Sequence, residues 1–362
     1  DIRMRVKKRI HINTLWDAIL EGAKGGYPSD IKMMWSMCNN YVNQIGNSNK
    51  ADKALKELEF IAVSELFPTA TARYADIIFP VTSAAERNDF TRPWPSGPYF
   101  TVINQAIKPL GECKSDLQIA SELAERLGIE GFNPHSEEEW LKILFDNNPE
   151  YTTHIDDYEA FRQKGIHRIE LPEPIVAFRD QIADPENNPF PTPSGKIEIF
   201  SQRAADLDNP ACPPIPKYLP TDEDRFDPLA EKYPLQLLTP HPRNRVHSEL
   251  YLVPWLREVE EHRVWINSKD ADSRGISDGD PVQVFNGRGT VALPAFVTER
   301  IIPGVVAIFE GSWYDPDENG VDRGACANTL TRDAYSGGGA CVMNTSLVEI
   351  EKVQGSTFKV QS

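Results

Sequence analysis

Val282-Gln283-Val284-Phe285-Asn286-Gly287-Arg288-Gly289-Thr290-Val291-Ala292-Leu293 sets two short β-prone runs on either side of a four-residue turn. Asn-Gly tolerates positive φ, so this stretch reads as a β-hairpin. The texture is all-β on both sides of it. Leu235 to Leu238, Val305 to Phe309 and Leu347 to Ile350 read as further strands. Short strands in close succession predict a small closed barrel over residues 231–362.

Upstream the pattern changes. Leu15 to Leu20 reads as a helix that Gly25-Gly26-Tyr27-Pro28 breaks, and Ile31-Lys32-Met33-Met34-Trp35 as a short buried strand. A polar loop, Cys38 to Gln44, follows. Ala51 to Leu58 is amphipathic, Phe60 to Val63 is a strand, and Ile77-Ile78-Phe79 is another that Pro80 closes. Ser115 to Gly128 is the clearest helix, capped by Ser115 and Gln118, and Ser136 with Glu139 caps the next. Strand–loop–helix alternation predicts an α/β domain over residues 1–148 containing part of a doubly wound sheet. Residues 149–230, rich in Pro, Asp and Asn, read as an irregular connector with one strand-like island, Lys196 to Phe200.

The chain has 362 residues, enough for two or three domains, with an ordinary 40% hydrophobic and 25% charged content. Its 29 prolines predict long surface connections. A formal charge of −16 repels nucleic acid and anionic membrane in general, and no apolar run approaches the ~20 residues that span a bilayer. An anion must then be held by a local island of positive groups. Arg3, Arg5, Lys7, Lys8 and Arg9 form a basic run that reads as a solvated face. The five cysteines are scattered without a C-x-x-C pair, so neither a zinc nor an iron–sulfur ligand set is visible. The first residues lack a signal peptide's apolar stretch and an initiator Met, which implies cleavage or truncation upstream.

Four clusters carry polar chemistry. Asn40, Asn43 and Gln44 lie in the loop after a strand, where amides can read a heterocycle's edge or simply finish a loop. Thr69-Ala70-Thr71-Ala72-Arg73-Tyr74-Ala75-Asp76 offers hydroxyls and a carboxylate that suit a ribose or purine amino group, or that cap the following turn. Thr239-Pro240-His241-Pro242-Arg243-Asn244-Arg245-Val246-His247-Ser248 gathers guanidinium, imidazole and hydroxyl donors suited to a pyrophosphate, unless its arginines only pair with nearby carboxylates. Its histidines read as positioned donors rather than metal ligands. Gly324 to Thr331, Ser336 to Gly339 and Asn344 to Ser346 allow close backbone approach to a ligand, or form an ordinary flexible loop. No nucleophile–base pair, carboxylate dyad or Walker-type loop stands out, so the catalytic residues stay unknown.

Taken in order, these segments resemble the molybdopterin oxidoreductases of the dimethyl sulfoxide reductase family. Thr69 to Pro80 with Glu86 is similar to the family's T-x-T-A-x-x-A-D segment. Asn40-Tyr41-Val42-Asn43-Gln44 is similar to the N-x-x-N-Q segment of the anaerobic dimethyl sulfoxide reductase branch. Pro193-Ser194-Gly195-Lys196-Ile197-Glu198 resembles the family's S-G-K-I-E segment. Val264 to Asn267, Gly275 to Asp280 and Asn328 to Thr331 resemble its dinucleotide-binding barrel, which implies a double-psi fold for the C-terminal domain. The resemblance covers residues 11–352 approximately.

The resemblance implies molybdenum (or tungsten) held as a bis(molybdopterin guanine dinucleotide). It implies Asn40, Gln44, Thr69, Thr71 and Asp76 at one nucleotide, and Thr239, Arg243, Arg245, His247, Ser248, Asn328 and Asn344 as contacts to dinucleotide or pterin. It implies oxygen-atom transfer of S-oxide or N-oxide type, with the cofactor supplying the redox chemistry. The family's N-terminal half, with its metal ligand and an iron–sulfur cluster in many members, has no counterpart here. The chain is therefore expected to be a C-terminal part, silent alone, with that half as its partner. An iron–sulfur electron-transfer subunit and a membrane anchor are further expected partners, and a periplasmic or cell-envelope face is the implied location. A non-redox hydratase or transhydroxylase, and a stand-alone nucleotide-binding scaffold, remain as alternatives.

Overall fold

A computed structural model describes residues 8–91 and 97–353. Arg3, Arg5 and Lys7 of the basic run lie outside the described residues. The chain divides into two compact units: one takes the residues up to Val63, Pro68–Ile77 and the chain from Phe200 on, the other Ser64–Phe67 and Ile78–Ile199.

In the first unit, β1 (Met33–Met37), β2 (Phe60–Glu65) and β3 (Ile77–Pro80) form a three-stranded sheet in that order. The division between units falls within β2 and β3. The helix Ser48–Glu57 joins β1 to β2 and buries Ala51, Ala54 and Leu55 against Trp16, Val42, Ile61 and Val63. Between β2 and β3 the chain makes only a short 3-10 turn, Ala72–Tyr74, too short for a crossover helix. The sheet is consequently small. β1 begins two residues later than expected and is not a buried strand: Met33 is exposed and only Ser36 is buried.

Short apolar runs, alternating in some strands and continuous in others, drive the barrel. β7 (Leu235–Leu238), β8 (Val264–Ile266), β9 (Pro281–Phe285), β10 (Thr290–Val297), β11 (Val305–Ile308) and β13 (Ser346–Lys352) hydrogen-bond in the order β10-β8-β11-β7-β13-β9, and β9 pairs back to β10. The short β12 (Val321–Asp322) adds beside β10. Leu237, Val264, Ile266, Val282, Val284, Val291, Ala295, Val306, Ile308 and Val348 are wholly enclosed. The molecule is thus mixed α/β with a closed six-stranded barrel, and closure leaves those six strands no free edge. The quoted hairpin is present with Val291 opposite Val284, but its turn uses no positive φ at Asn286 or Gly287. Asn286 instead donates its amide to the carbonyls of Leu330 and Leu347 at 2.9 and 3.0 Å, and a Cβ on Gly289 would meet Asn49 Nδ2 at 2.4 Å. Packing, rather than turn dihedrals, demands these residues.

The second unit contains the expected clear helix, Asp116–Arg126, capped by Ser115, so that helix does not share a compact unit with β1. Its sheet, β4 (Asp89–Thr91), β5 (Tyr99–Ile103) and β6 (Ile166–Arg168), is antiparallel. The connector expectation fails at its start. Pro149–Thr152 and Tyr158–Lys164 are helical, and Tyr151, Ile155, Tyr158 and Phe161 bury with Phe100, Leu141 and Phe145. Aromatic burial organises a segment whose Asp and Asn content reads as loop. The island Lys196 to Phe200 is no strand; Ile197 and Ile199 are exposed.

Candidate cofactor site

Two loops of the first unit meet around Asn40. β1 ends at Met37, Cys38 takes a left-handed φ of 55°, and Asn40 enters the short helix Tyr41–Gln44 as its N-cap. The buried Asn40 Oδ1 accepts from Thr71 Oγ1 at 2.8 Å and Thr71 N at 3.2 Å. Its Nδ2 faces Asn43 Oδ1 at 3.3 Å and Ser248 Oγ at 3.4 Å. The strand-end amides, the Thr71 turn and the Arg-rich loop are therefore one cluster.

Asn43 extends it. Its amide donates to the Ser312 carbonyl and to Cys326 Sγ, and its own carbonyl accepts from Asn328 Nδ2 at 2.7 Å. The Asn328 Oδ1 takes the Thr331 hydroxyl at 2.8 Å, so this amide is occupied inside the protein. Asp76 is exposed, and its Oδ2 accepts from the Ile61 backbone at 2.8 Å, which fixes the turn before β3. Thr69 is buried and its hydroxyl lies 3.3 Å from Ala72 N. Gln44 is half-buried with its amide unspent among the described residues. Asn344 is exposed, and its Oδ1 accepts from Thr239 N at 2.8 Å and Thr239 Oγ1 at 3.2 Å.

The loop after β7 is shaped by its backbone. His247 and Leu250 take φ of 52° and 63°. Glu310 N donates to Pro240 O, Trp313 Nε1 to Ser248 O at 2.9 Å, and a Cβ on Gly311 would sit 1.8 Å from the His247 carbonyl. Neither Arg243 nor Arg245 forms an ion pair among the described residues. Arg243 is exposed; Arg245 donates Nη2 to the Glu310 carbonyl at 3.0 Å and covers the Tyr251 ring, which Arg257 also covers. Burial lowers Arg245 from the usual guanidinium range, opposed by Tyr251, Glu260 and Glu310. The cost of burying it without a carboxylate salt bridge suggests a site that awaits an anion.

Behind this loop lies a cavity of ≈ 620 Å³ lined by Asn244, Arg245, Tyr251, Arg257, Glu260, His262 and Arg323 among others. Two of these residues hold buried polar atoms without a partner, Arg245 Nε and His262 Nδ1. His262 Nε2 lies 3.0 Å from the Ala325 carbonyl, so the neutral ring donates there and leaves Nδ1 as an acceptor. Burial, with Arg245 nearby, holds this imidazole down at about 4. An orphan donor and an orphan acceptor in one cavity fit a phosphorylated heterocycle, which carries both anionic oxygens and ring N–H groups. The Tyr251, Arg257 and His262 contributions escape sequence reading, since lone aromatic and basic residues in a polar stretch carry no spacing signal. Asp322 also escapes it: wholly buried, it accepts from Asp315 N, Gly324 N, Cys326 N and Thr329 Oγ1, and burial still pushes it up to about 6.

A barrel joined to amide, hydroxyl and guanidinium donors is a frame whose chemistry fits a phosphorylated ligand, and the chain belongs to the molybdopterin oxidoreductase family. The molybdopterin oxidoreductase family matches residues 17–126, and the molydopterin dinucleotide binding domain matches residues 235–343. The chain is 40% identical over 355 residues to dimethyl sulfoxide reductase DmsA of Escherichia coli (strain K12), covering 93% of this chain and 44% of that protein. It is 34% identical over 379 residues to the trimethylamine-N-oxide reductase of Haemophilus influenzae (strain ATCC 51907 / DSM 11121 / KW20 / Rd), with coverages of 98% and 44%. It thus spans a little under half the length of these curated relatives. Acetylene hydratase from Pelobacter acetylenicus shares the fold, at a TM-score of 0.73 and 21% identity over 95% of this chain and 46% of that one. No helix among the described residues is long and apolar enough to cross a membrane.

Proposed function

We propose that this chain is the C-terminal, cofactor-gripping part of an oxidoreductase that uses a molybdenum (or tungsten) bis(molybdopterin guanine dinucleotide) and reduces an S-oxide or N-oxide. The observation that carries it is the meeting of Asn40, Thr71 and Ser248, segments 31 and 208 residues apart from Asn40, beside a cavity with orphaned polar atoms. When bound, the metal cofactor supplies the redox and oxygen-transfer chemistry. The chain's own residues bind and orient. Arg243, Arg245 and Ser248 meet pyrophosphate oxygens, and Asn40, Gln44, Thr69, Thr71 and Asp76 frame one nucleotide. Thr239, His247 and Asn344 are read as further contacts to dinucleotide or pterin, and Asn328, whose amide is spent on Asn43 and Thr331, as a support behind them. The barrel is read as a double-psi barrel.

The remainder of the enzyme is proposed to supply the metal's protein ligand and, with it, catalysis. Ile175, Ile182, Ile197 and Ile199, each more than 70% exposed, support a further polypeptide covering the second unit. An iron–sulfur electron-transfer subunit and a membrane anchor are proposed as partners of the complete enzyme. The test is metal and nucleotide analysis of the natively produced protein. Molybdenum or tungsten is expected, with GMP released on acid hydrolysis, together with viologen-driven reduction of dimethyl sulfoxide or trimethylamine N-oxide. Absence of both metal and GMP would overturn the reading. The chain produced alone should show no turnover.

A further inference from the structure

His241 and His247, six residues apart on the loop after β7, both turn Nδ1 toward one carboxylate. The Nδ1 atoms lie 2.7 and 2.9 Å from the same oxygen, Glu310 Oε1, and the two rings stand 4.8 Å apart. All three ligand-type atoms fall within 4.8 Å of one another. We propose that His241, His247 and Glu310 form a binding site for a divalent transition-metal ion of the zinc class, independent of the pterin's metal.

Zinc–nitrogen and zinc–oxygen bonds of ~2.0–2.2 Å put tetrahedral ligands about 3.4 Å apart. The present spacings reach that geometry through side-chain shifts of under about 1 Å, with the ion replacing two N–H···O bonds. Two imidazoles and one carboxylate are a donor set that zinc accepts, with a fourth position left for water or an anionic oxygen. The ligands' backbones are already held. Glu310 N bonds Pro240 O, the residue before His241, and the Arg245 guanidinium holds the Glu310 carbonyl. His247 is fixed in a left-handed conformation with its carbonyl against Gly311. Preorganisation removes much of the ordering cost of binding. Both imidazoles are exposed, so the ion has a path in. The two histidines alone carry no metal-binding spacing; Glu310 completes the site from 63 residues away.

Cobalt(II) titration of the full chain tests this, because four-coordinate cobalt absorbs in the visible and zinc is silent. One equivalent of Co²⁺ is expected to give that absorption, and Zn²⁺ to abolish it. Glu310→Gln, His241→Asn and His247→Asn are each expected to weaken binding by at least about tenfold, the scale at which even outer-shell losses are felt. Asparagine tolerates the positive φ at His247, and circular dichroism checks each fold. His11→Asn, at an unrelated exposed histidine, should change nothing. Absence of the visible band would overturn the proposal, as would a band that persists at unchanged affinity in Glu310→Gln. The probe is the metal alone, so the result stands apart from whether the chain binds a pterin nucleotide.

Discussion

Asn40 Oδ1 accepts the Thr71 hydroxyl at 2.8 Å while its Nδ2 reaches Ser248 Oγ at 3.4 Å, so one buried amide ties the loop after β1 to the turn before β3 and to the Arg-rich loop. Thr71 is wholly buried, and it also accepts from Val42 N. Asn40→Ala would strand its hydroxyl proton. A loss of about 1–3 kcal/mol is expected in urea unfolding, the cost of an unsatisfied buried group. A change within ~0.3 kcal/mol, the scatter of independent sites, would count against the bridge.

Gly311 has φ 90°, and its Cβ position lies 1.8 Å from His247 O. Gly311→Ala meets both backbone strain and an immovable carbonyl. Destabilisation of about 2 kcal/mol or more is expected, seen as a lower thermal midpoint. Gly287→Ala, in open space and without positive φ, serves as the control.

Burial holds His262 at about 4 against an ordinary 6.5. The folded state therefore keeps it neutral where the unfolded chain takes up a proton. Its contribution is fully present above pH 6.5 and is lost as pH falls from 6.5 toward 4, by about 3 kcal/mol in all. His262→Gln keeps a donor for the Ala325 carbonyl and should flatten unfolding free energy across that window. An unchanged slope would show that the ring ionises alike in both states.

Arg288 holds Glu223 bidentately at 2.6 and 2.7 Å, both side chains largely buried, and Glu223 also accepts from Leu347 N. The pair pins the segment preceding β7 to the barrel hairpin. Arg332 Nε also lies 3.7 Å from Glu223, so Arg288→Met should cost about 1–3 kcal/mol by breaking the bidentate bonds, and Glu223→Gln with Arg288→Met together less. Equal losses in the single and double variants would refute that account. Guanidinium denaturation separates the cases.

Local pattern carried the barrel a long way. Apolar alternation in Val282 to Phe285 buries one face of β9, the continuous apolar run from Val291 buries both faces of β10, and the two pair in the expected hairpin register. The helix cap at Ser136 was equally legible, a box complete within four residues, whereas at Ser115 only the hydroxyl's half forms and the Gln118 side chain donates to Glu122 instead. The Asp-rich segment around Tyr151 and Tyr158 was not, since its helices, capped locally by Asn148 and Asp157, take their burial from packing that includes the distant Phe100. In the same way the motif residues pointed to a nucleotide-type ligand, whereas their individual duties diverged. Asn328 spends its amide on Asn43 and Thr331, and Asp76 spends one carboxylate oxygen on the β2 backbone.

Residue order alone specified the composition, the acidic charge, the strand periodicity and the ordered motifs that mark the family, because each is a property of neighbours along the chain. Folding had to supply the rest. Arg245 beside Tyr251 and His262, Glu310 between His241 and His247, and Asn40 between Thr71 and Ser248 are meetings of distant segments, and no periodicity encodes which remote group a side chain will face. Burial then assigns each meeting its chemistry, since it encloses Arg245 Nε with no partner among the described residues and keeps His262 neutral.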